Sequence, residues 1–140
     1  MFKQIDLNNS SELEAAFELL KQLRSHLTFD TFRENIFKLK NENYELWSLH
    51  EEGRLVALAG LRTYTDFVRG THLYIDDLVV DQSLRSQGYG AQLLKFTEEL
   101  CSKKKLPSLR LACAHENKKG YAFYQREGWT DRSCAFVKKI

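Results

Sequence analysis

Several features that mark unusual classes of protein are missing or rare in this sequence. Its 140 residues include one proline and three cysteines, Cys101, Cys113 and Cys134, which are widely spaced and form no CxxC pair. An odd number of unpaired cysteines argues against a disulfide framework and favours buried thiols in a reducing cytoplasm. The four histidines show no ligand spacing either, so we expect no metal cofactor.

Long apolar runs and a strong net charge are also lacking. No window approaches the roughly 20 apolar residues of a membrane-spanning helix, and the N-terminus has no apolar core of signal-peptide length. The formal net charge is +2, with 21 basic residues spread among 19 acidic ones. We therefore expect a cytoplasmic protein whose partners include neither a membrane nor a nucleic acid.

The pattern of hydrophobic residues is that of an ordinary folded chain, and residues 1–140 suffice for one domain. Two N-terminal helices are predicted to begin at capping boxes, Ser11-x-x-Glu14 and Thr31-x-x-Glu34. The predicted elements, in chain order, are a strand over 2–6, these two helices, strands over 44–50, 55–64 and 72–80, a helix over 90–104, a strand over 108–114, a helix over 118–127 and two short strands within 129–140. This order predicts an α/β domain built around a mixed sheet.

The most informative segment joins the strand that ends at Val80 to the helix that begins near Gly90. It contains Arg85-x-x-Gly88-x-Gly90. Glycines let a ligand approach the backbone, and the free N–H groups in the first turn of a helix bind phosphate oxygens. The segment lacks the Gly-Lys-Ser/Thr ending of a P-loop and the third glycine of a dinucleotide fingerprint. By itself it fits either a pyrophosphate site or an ordinary glycine-containing turn.

A second segment follows the strand over 108–114 and contains Asn117, Tyr124 seven residues later, and Gly128–Trp129. With both segments in this order, the sequence resembles the GNAT superfamily of N-acetyltransferases. Its members carry (Arg/Gln)-x-x-Gly-x-(Gly/Ala) after the fourth strand and Asn…(Phe/Leu)-Tyr-x-x-x-Gly-(Phe/Trp) after the fifth. The resemblance is close over residues 72–129 and implies a mixed, mostly antiparallel sheet, flanked by helices and splayed between strands 4 and 5.

The resemblance also implies acetyl-CoA as co-substrate and a small-molecule or peptide amine as acceptor. The pantetheine arm would pair with the backbone of Leu78, Val79 and Val80 as an added strand. The pyrophosphate would be held by the backbone of Ser86, Gln87, Gly88, Tyr89, Gly90 and Ala91, with Arg85 as a nearby cation. Asn117 would bind the pantetheine amide, and Tyr124 would lie beside the thioester sulfur.

In the family the amine attacks the thioester directly, through a tetrahedral intermediate, and coenzyme A leaves as a thiolate. Tyr124, with an ordinary pKa near 10 against about 8.5 for a thiol, would protonate that thiolate. Asp76 stands where several family members carry the base that takes the proton of the amine, either directly or through a chain of water molecules. In a regular strand Asp76 shares a face with Leu78 and Val80 while Asp77 points the other way, and a bulge would disturb this alternation. The alternative interpretation of Asp76 and Asp77 is an acidic patch that binds a cationic acceptor.

Two other functions compete with acetyl transfer. One is a non-catalytic acetyl-CoA-binding module that regulates a partner, against which Tyr124 and Asp76 argue. The other is a nucleotide or nucleic-acid binder that uses the same loop, which the near-neutral charge and the missing Walker residues disfavour. Homodimers, often formed through the last strands, are frequent in the family. One departure from the family pattern is Gly120, which stands where a small alanine is usual and is expected to make the helix there more flexible.

Overall fold

Nine helices and strands and one short 3-10 turn form along the chain in the computed structural model, which describes residues 1–140. In order they are β1 (Phe2–Gln4), α1 (Ser10–Leu20), α2 (Phe29–Leu39), β2 (Tyr44–Glu51), β3 (Arg54–Asp66), β4 (Gly70–Val80), the 3-10 turn (Gln82–Leu84), α3 (Tyr89–Lys103), β5 (Leu109–Leu111) and α4 (Lys118–Arg126). The chain divides into two units, Met1–Arg110 and Leu111–Ile140. Most of the predicted elements are thereby confirmed.

The caps of the first two helices differ from the prediction. The side chain of Asn9 caps α1 by accepting a hydrogen bond from the N–H of Glu12, at 3.1 Å. In α2 the capping residue is Thr28, and Thr31 is its reciprocal partner three residues later, with bonds of 3.2 and 3.0 Å. The predicted cap Ser11 was wrong by two residues and the predicted cap Thr31 by three, because an asparagine or threonine in extended conformation upstream already satisfies the free N–H groups.

The sheet follows the order of the chain, β1-β2-β3-β4-β5. Strands β1 to β4 pair antiparallel with their neighbours, and β5 joins parallel to β4, where the N–H of Leu73 donates to the carbonyl of Ser108 at 3.0 Å. The β2–β3 hairpin turns at Glu52 and Gly53, both with positive φ, as a two-residue turn requires. The mixed, mostly antiparallel sheet predicted from the sequence is confirmed.

Helices cover both faces of this sheet in the unit Met1–Arg110. Leu46, on one face of β2, belongs to a buried cluster with residues of α1 and α2, whereas its neighbour Trp47 points to the other face and contacts Phe96 of α3, with ring centroids 5.0 Å apart. The buried helix residues recur at helical spacing: Leu13, Ala16, Phe17, Leu19 and Leu20 of α1, Phe32 and Ile36 of α2, and Leu93, Leu94, Thr97, Leu100 and Cys101 of α3. The acidic pair on β4 and the loop that follows it are built on this three-layer unit.

The predictions for the last quarter of the chain were partly wrong. Strand β5 is three residues long rather than seven, and residues 129–140 form neither of the two predicted strands. Their apolar side chains gain no burial, since Phe136 and Val137 are 97% and 90% exposed. Alternating hydrophobicity stabilises a strand only when one of its faces packs against something.

The cysteines and helices allow two further observations. Cys101 is buried as predicted, but Cys113 is only half-buried and Cys134 is exposed, so the expectation of buried thiols was correct for one of the three. None of the helices combines the length and the apolar composition that crossing a membrane would need.

Candidate active site

The segment between β4 and α3 turns at two residues in the left-handed region. Ser86 has φ 64° and Gly88 has φ 86°. That region costs an ordinary L-residue roughly 1–2 kcal/mol, whereas glycine adopts it freely. Gly88 is the N-cap residue of α3, and no side chain caps the helix there. The N–H groups of the first turn, with the positive end of the helix dipole behind them, are therefore available to an anion.

Asp81 holds the first half of this loop in place. Its carboxylate accepts hydrogen bonds from the N–H and the hydroxyl of Ser83, at 3.0 and 2.9 Å, and from Arg54 at 2.7 Å. These bonds, the Ser83 N–H first, keep the pKa of Asp81 below its usual range. The next residue, Gln82, donates its N–H to the side chain of Gln22 at 2.8 Å. Asp81 was missed in the sequence, although Asp-x-Ser after a strand is a typical side-chain turn signal.

The backbone of Leu78, Val79 and Val80 lies at the end of β4. On one side these residues pair with Ala59, Leu58 and Ala57 of β3. The N–H of Asp81 continues the ladder to the carbonyl of Val56 at 2.9 Å. On the other side of β4, the three residues of β5 are set against eleven in β4. The predicted splay of the two strands beyond their contact stays a prediction.

A β-bulge lies in β4 at the acidic pair. Gly60 of β3 is opposite Asp77, and Leu61 is opposite Ile75, so Asp76 is an extra residue without a partner. A bulge of this kind breaks the alternation of side chains along a strand. Asp76 and Asp77 would point to opposite faces only in a regular strand, and β4 is not regular at this point.

The two carboxylates are held in different ways. Both oxygens of Asp76 accept hydrogen bonds from Arg62, at 2.8 and 2.7 Å. Asp77 accepts one bond, from Nε of Arg24 to Oδ1 at 2.9 Å, and Arg24 also donates to the carbonyl of Asp76 at 3.1 Å. Burial raises the pKa of the Asp77 carboxyl, the charge of Asp76 adds to this effect, and Arg24 and Arg62 oppose it.

The second oxygen of Asp77 lies above Gly60, where the hydroxyl of Tyr44 also lies. A β-carbon at position 60 would be 3.1 Å from Oδ2 of Asp77 and would collide with the Tyr44 hydroxyl. Tyr44 is only 8% exposed, and its hydroxyl forms no hydrogen bond with the protein. Burial, and then the charges of Asp77 and Asp76, raise the pKa of Tyr44. No local sequence pattern marks Tyr44 or Gly60 as part of a site.

The remaining predicted residues lie in the unit Leu111–Ile140. Asn117 is the N-cap of α4, and its Oδ1 accepts the N–H of Gly120 at 3.0 Å. Tyr124 follows seven residues later and so lies on the same side of the helix. It is half-buried, and its ring contacts Phe123 and Trp129, with centroids 5.3 and 6.1 Å away.

Two glycines shape the start and the end of the second motif, Gly120 within α4 and Gly128 just after it. Gly128, with φ 89°, ends the helix and lets the N–H of Trp129 reach back to the carbonyl of Tyr124 at 2.9 Å. At Gly120 a β-carbon would collide with the side-chain amide of Asn117. The glycine thus gives the Asn117 amide room to fold over the first turn of the helix, a contact that the sequence did not reveal.

The sequence profile of the acetyltransferase (GNAT) family matches residues 10–129, which include both segments. The chain belongs to the GNAT family. A similar protein is YhdJ of Bacillus subtilis strain 168, an uncharacterised N-acetyltransferase that is 28% identical over 142 residues, with all of both chains covered. The structural relatives below share the GNAT fold at lower identity.

Two solved structures illustrate the likeness. The aminoglycoside N-acetyltransferase AAC(6')-Iy in complex with CoA is 18% identical with a TM-score of 0.85, and the match covers all of this chain and 93% of that one. Glucosamine-6-phosphate N-acetyltransferase from Arabidopsis thaliana is 23% identical with a TM-score of 0.75, with 100% and 97% covered. At these identities the comparison establishes the GNAT fold and no particular substrate.

Proposed function

We propose that this GNAT protein transfers the acetyl group of acetyl-CoA to a primary amine by direct attack through a tetrahedral intermediate. The observation that carries the proposal is the start of α3. Its first-turn N–H groups carry no side-chain cap, and they follow two left-handed residues, Ser86 and Gly88. Phosphate groups bind to this kind of helix start in many proteins. A structural relative, the aminoglycoside N-acetyltransferase AAC(6')-Iy, has been solved in complex with CoA.

The cofactor contacts follow from this arrangement. The pyrophosphate accepts hydrogen bonds from the backbone of residues 86–91, and Arg85, which is exposed, adds a positive charge. The pantetheine arm pairs with Leu78, Val79 and Val80 on the strand edge opposite β3. Asn117 uses its Oδ1 to cap α4, so its NH₂ group is the part that donates to a pantetheine carbonyl.

The chemical step needs no covalent intermediate on the protein. The neutral amine attacks the thioester carbonyl, the carbon–nitrogen bond forms, and the carbon–sulfur bond breaks as the tetrahedral oxyanion collapses. A backbone N–H of β4 stabilises that oxyanion. Tyr124 donates its proton to the departing thiolate and regains one from the nitrogen through solvent. Asp76 is the residue that the resemblance to the family predicts to take the first proton of the amine.

The test is a thermal shift combined with a thiol-release assay. Acetyl-CoA at a hundredfold excess over its Kd should stabilise the fold by about 2.7 kcal/mol, which appears as a higher Tm. Kanamycin, spermidine, glucosamine and a short peptide with a free N-terminus then serve as acceptors, and the released thiol is measured. The absence of any Tm shift at millimolar acetyl-CoA would contradict the proposal. A Tm shift without thiol release from any amine would favour the regulatory module instead.

A further inference from the structure

The bulge in β4 leaves the two aspartates unequally suited to proton transfer. Both oxygens of Asp76 are occupied by one guanidinium, that of Arg62, which also contacts Glu42 at 3.2 Å. A bidentate pair with arginine is among the strongest charge-assisted contacts in proteins, and it stabilises the ionised carboxylate. An amine that approaches Asp76 must therefore compete with Arg62 for both carboxylate oxygens.

Asp77 has only one side-chain partner, and that partner leaves one of its two oxygens unoccupied. A single bond from Arg24 holds Oδ1, and Oδ2 lies over Gly60 beside the hydroxyl of Tyr44. The side chain keeps 17% of its surface exposed, close to the 18% of Asp76, so a small group can reach either carboxylate and the difference lies in their partners. The Tyr44 ring is buried while its hydroxyl is bonded to no protein group. Two oxygen acceptors, Oδ2 of Asp77 and the hydroxyl of Tyr44, therefore lie close together over Gly60.

We propose that Asp77, rather than Asp76, binds the ammonium group of the acceptor and takes its proton, with the Tyr44 hydroxyl as the second ligand. The acceptor class is a primary amine that arrives as a cation. The ammonium transfers one proton to Asp77, and the resulting amine attacks acetyl-CoA. The second proton of the nitrogen leaves with the thiolate as coenzyme A thiol, and Asp77 returns its proton to solvent.

The groups that face Asp77 are consistent with this task. They are Arg24 from the segment after α1, Tyr44 on β2, Arg62 on β3 and Asp76 on β4 itself. Burial outweighs the two arginines and raises the pKa of Asp77, which moves a carboxyl group toward the range in which a general base is efficient. The assignment rests on the proposed acetyl transfer.

The experiment compares Asp77→Asn with Asp76→Asn. For each variant, kcat/KM is measured with kanamycin, spermidine and glucosamine at about pH 7 and about pH 9, since a missing base matters less where the acceptor is already neutral. We expect Asp77→Asn to lose on the order of 10²-fold at the lower pH and clearly less at the higher pH, and Asp76→Asn to lose less than tenfold. Tyr44→Phe should raise KM for the amine more than it lowers kcat.

Two outcomes would overturn the assignment while leaving acetyl transfer intact. One is Asp77→Asn turning over within about threefold of the wild type, and the other is Asp76→Asn showing the larger loss. Acetyl-CoA thermal shifts of all variants separate these outcomes from a failure of the proposed function, in which the wild type itself shows no shift.

A second measurement decides the matter even if none of the three acceptors reacts. With ¹³C-labelled aspartate, propylammonium chloride added in the presence of CoA should shift the carboxyl resonance of Asp77 in a saturable manner. The resonance of each aspartate is assigned from the two asparagine variants. A shift at Asp76 alone, or no shift at Asp77, would refute the inference.

Discussion

The loop after β4 and the acidic pair within β4 are close in sequence but are shaped by different kinds of contact. The loop is formed mainly by its own residues, through the Asp81–Ser83 turn and the left-handed Ser86 and Gly88. The acidic pair is held by residues 14 to 53 positions away, Arg62 and Arg24. A site built from local contacts can be recognised as a motif, whereas a site built from distant contacts becomes visible only in the fold.

The largest expected effect tests the locally built site. Gly88→Val should abolish the Tm shift with acetyl-CoA, because the β-branched side chain strains a left-handed residue and fills the space in front of the first-turn N–H groups. The matched control is Gly53→Val in the β2–β3 turn, where φ is 77° and a β-carbon also meets nothing within 4 Å.

Both variants should lose stability by a similar amount, roughly 1–2 kcal/mol from the backbone strain. Only Gly88→Val should lose the response to acetyl-CoA in differential scanning fluorimetry. If both variants keep that response, the loop is merely a turn.

The next effect concerns the chemical step. Tyr124→Phe preserves the ring contacts with Phe123 and Trp129 and should lower kcat by roughly 10²-fold, the range of a lost general acid, with little change in acetyl-CoA affinity. Tyr121→Phe is the control on the same helix, since its hydroxyl bonds to Asp131 at 3.2 Å. Steady-state kinetics with near-wild-type kcat for Tyr124→Phe would rule out its role as the acid.

The smallest effect probes the acidic pair through stability. Because the pKa of Asp77 is raised on folding from its ordinary 3.8, its ionised form opposes folding. Asp77→Asn should therefore have a higher Tm than the wild type at about pH 8, and the difference should shrink as the pH falls through the raised pKa toward about 4.

Asp66→Asn provides the opposite sign for comparison. Hydrogen bonds, the N–H of Arg69 first, lower the pKa of Asp66, so its ionised form favours folding and the substitution should lower Tm at neutral pH. That loss should disappear as the pH falls below the ordinary value of about 3.8. Thermal melts across this range check both signs, and equal pH profiles for the two variants would contradict the burial argument.

The sequence predicted the family, the helices and the loop because each depends on residues near one another in the chain. The buried face of α3 follows from helical spacing, and Gly88 marks its own left-handed turn. Chain ends were harder, because the alternation within residues 129–140 predicts strands that do not form without a surface to pack on.

The acidic pair could be located but not interpreted. Asp76 and Asp77 are plain in the sequence, yet their difference depends on one extra residue in the pairing of β3 with β4. No local pattern shows which arginine reaches which carboxylate. The roles of Asn117 and Tyr124 come from the resemblance to the family and stay predictions.

Gly60 also has a consequence for protein engineering. A glycine inside a strand usually destabilises by roughly 0.5–1 kcal/mol relative to alanine, so a stability screen would replace it early. Here the added methyl group would strike the Tyr44 hydroxyl and press on Asp77. A library that fills position 60 should therefore be enriched in second changes at position 44. The acetyl-transfer activity of the stabilised variants would then measure how much the proposed amine site depends on an open position 60.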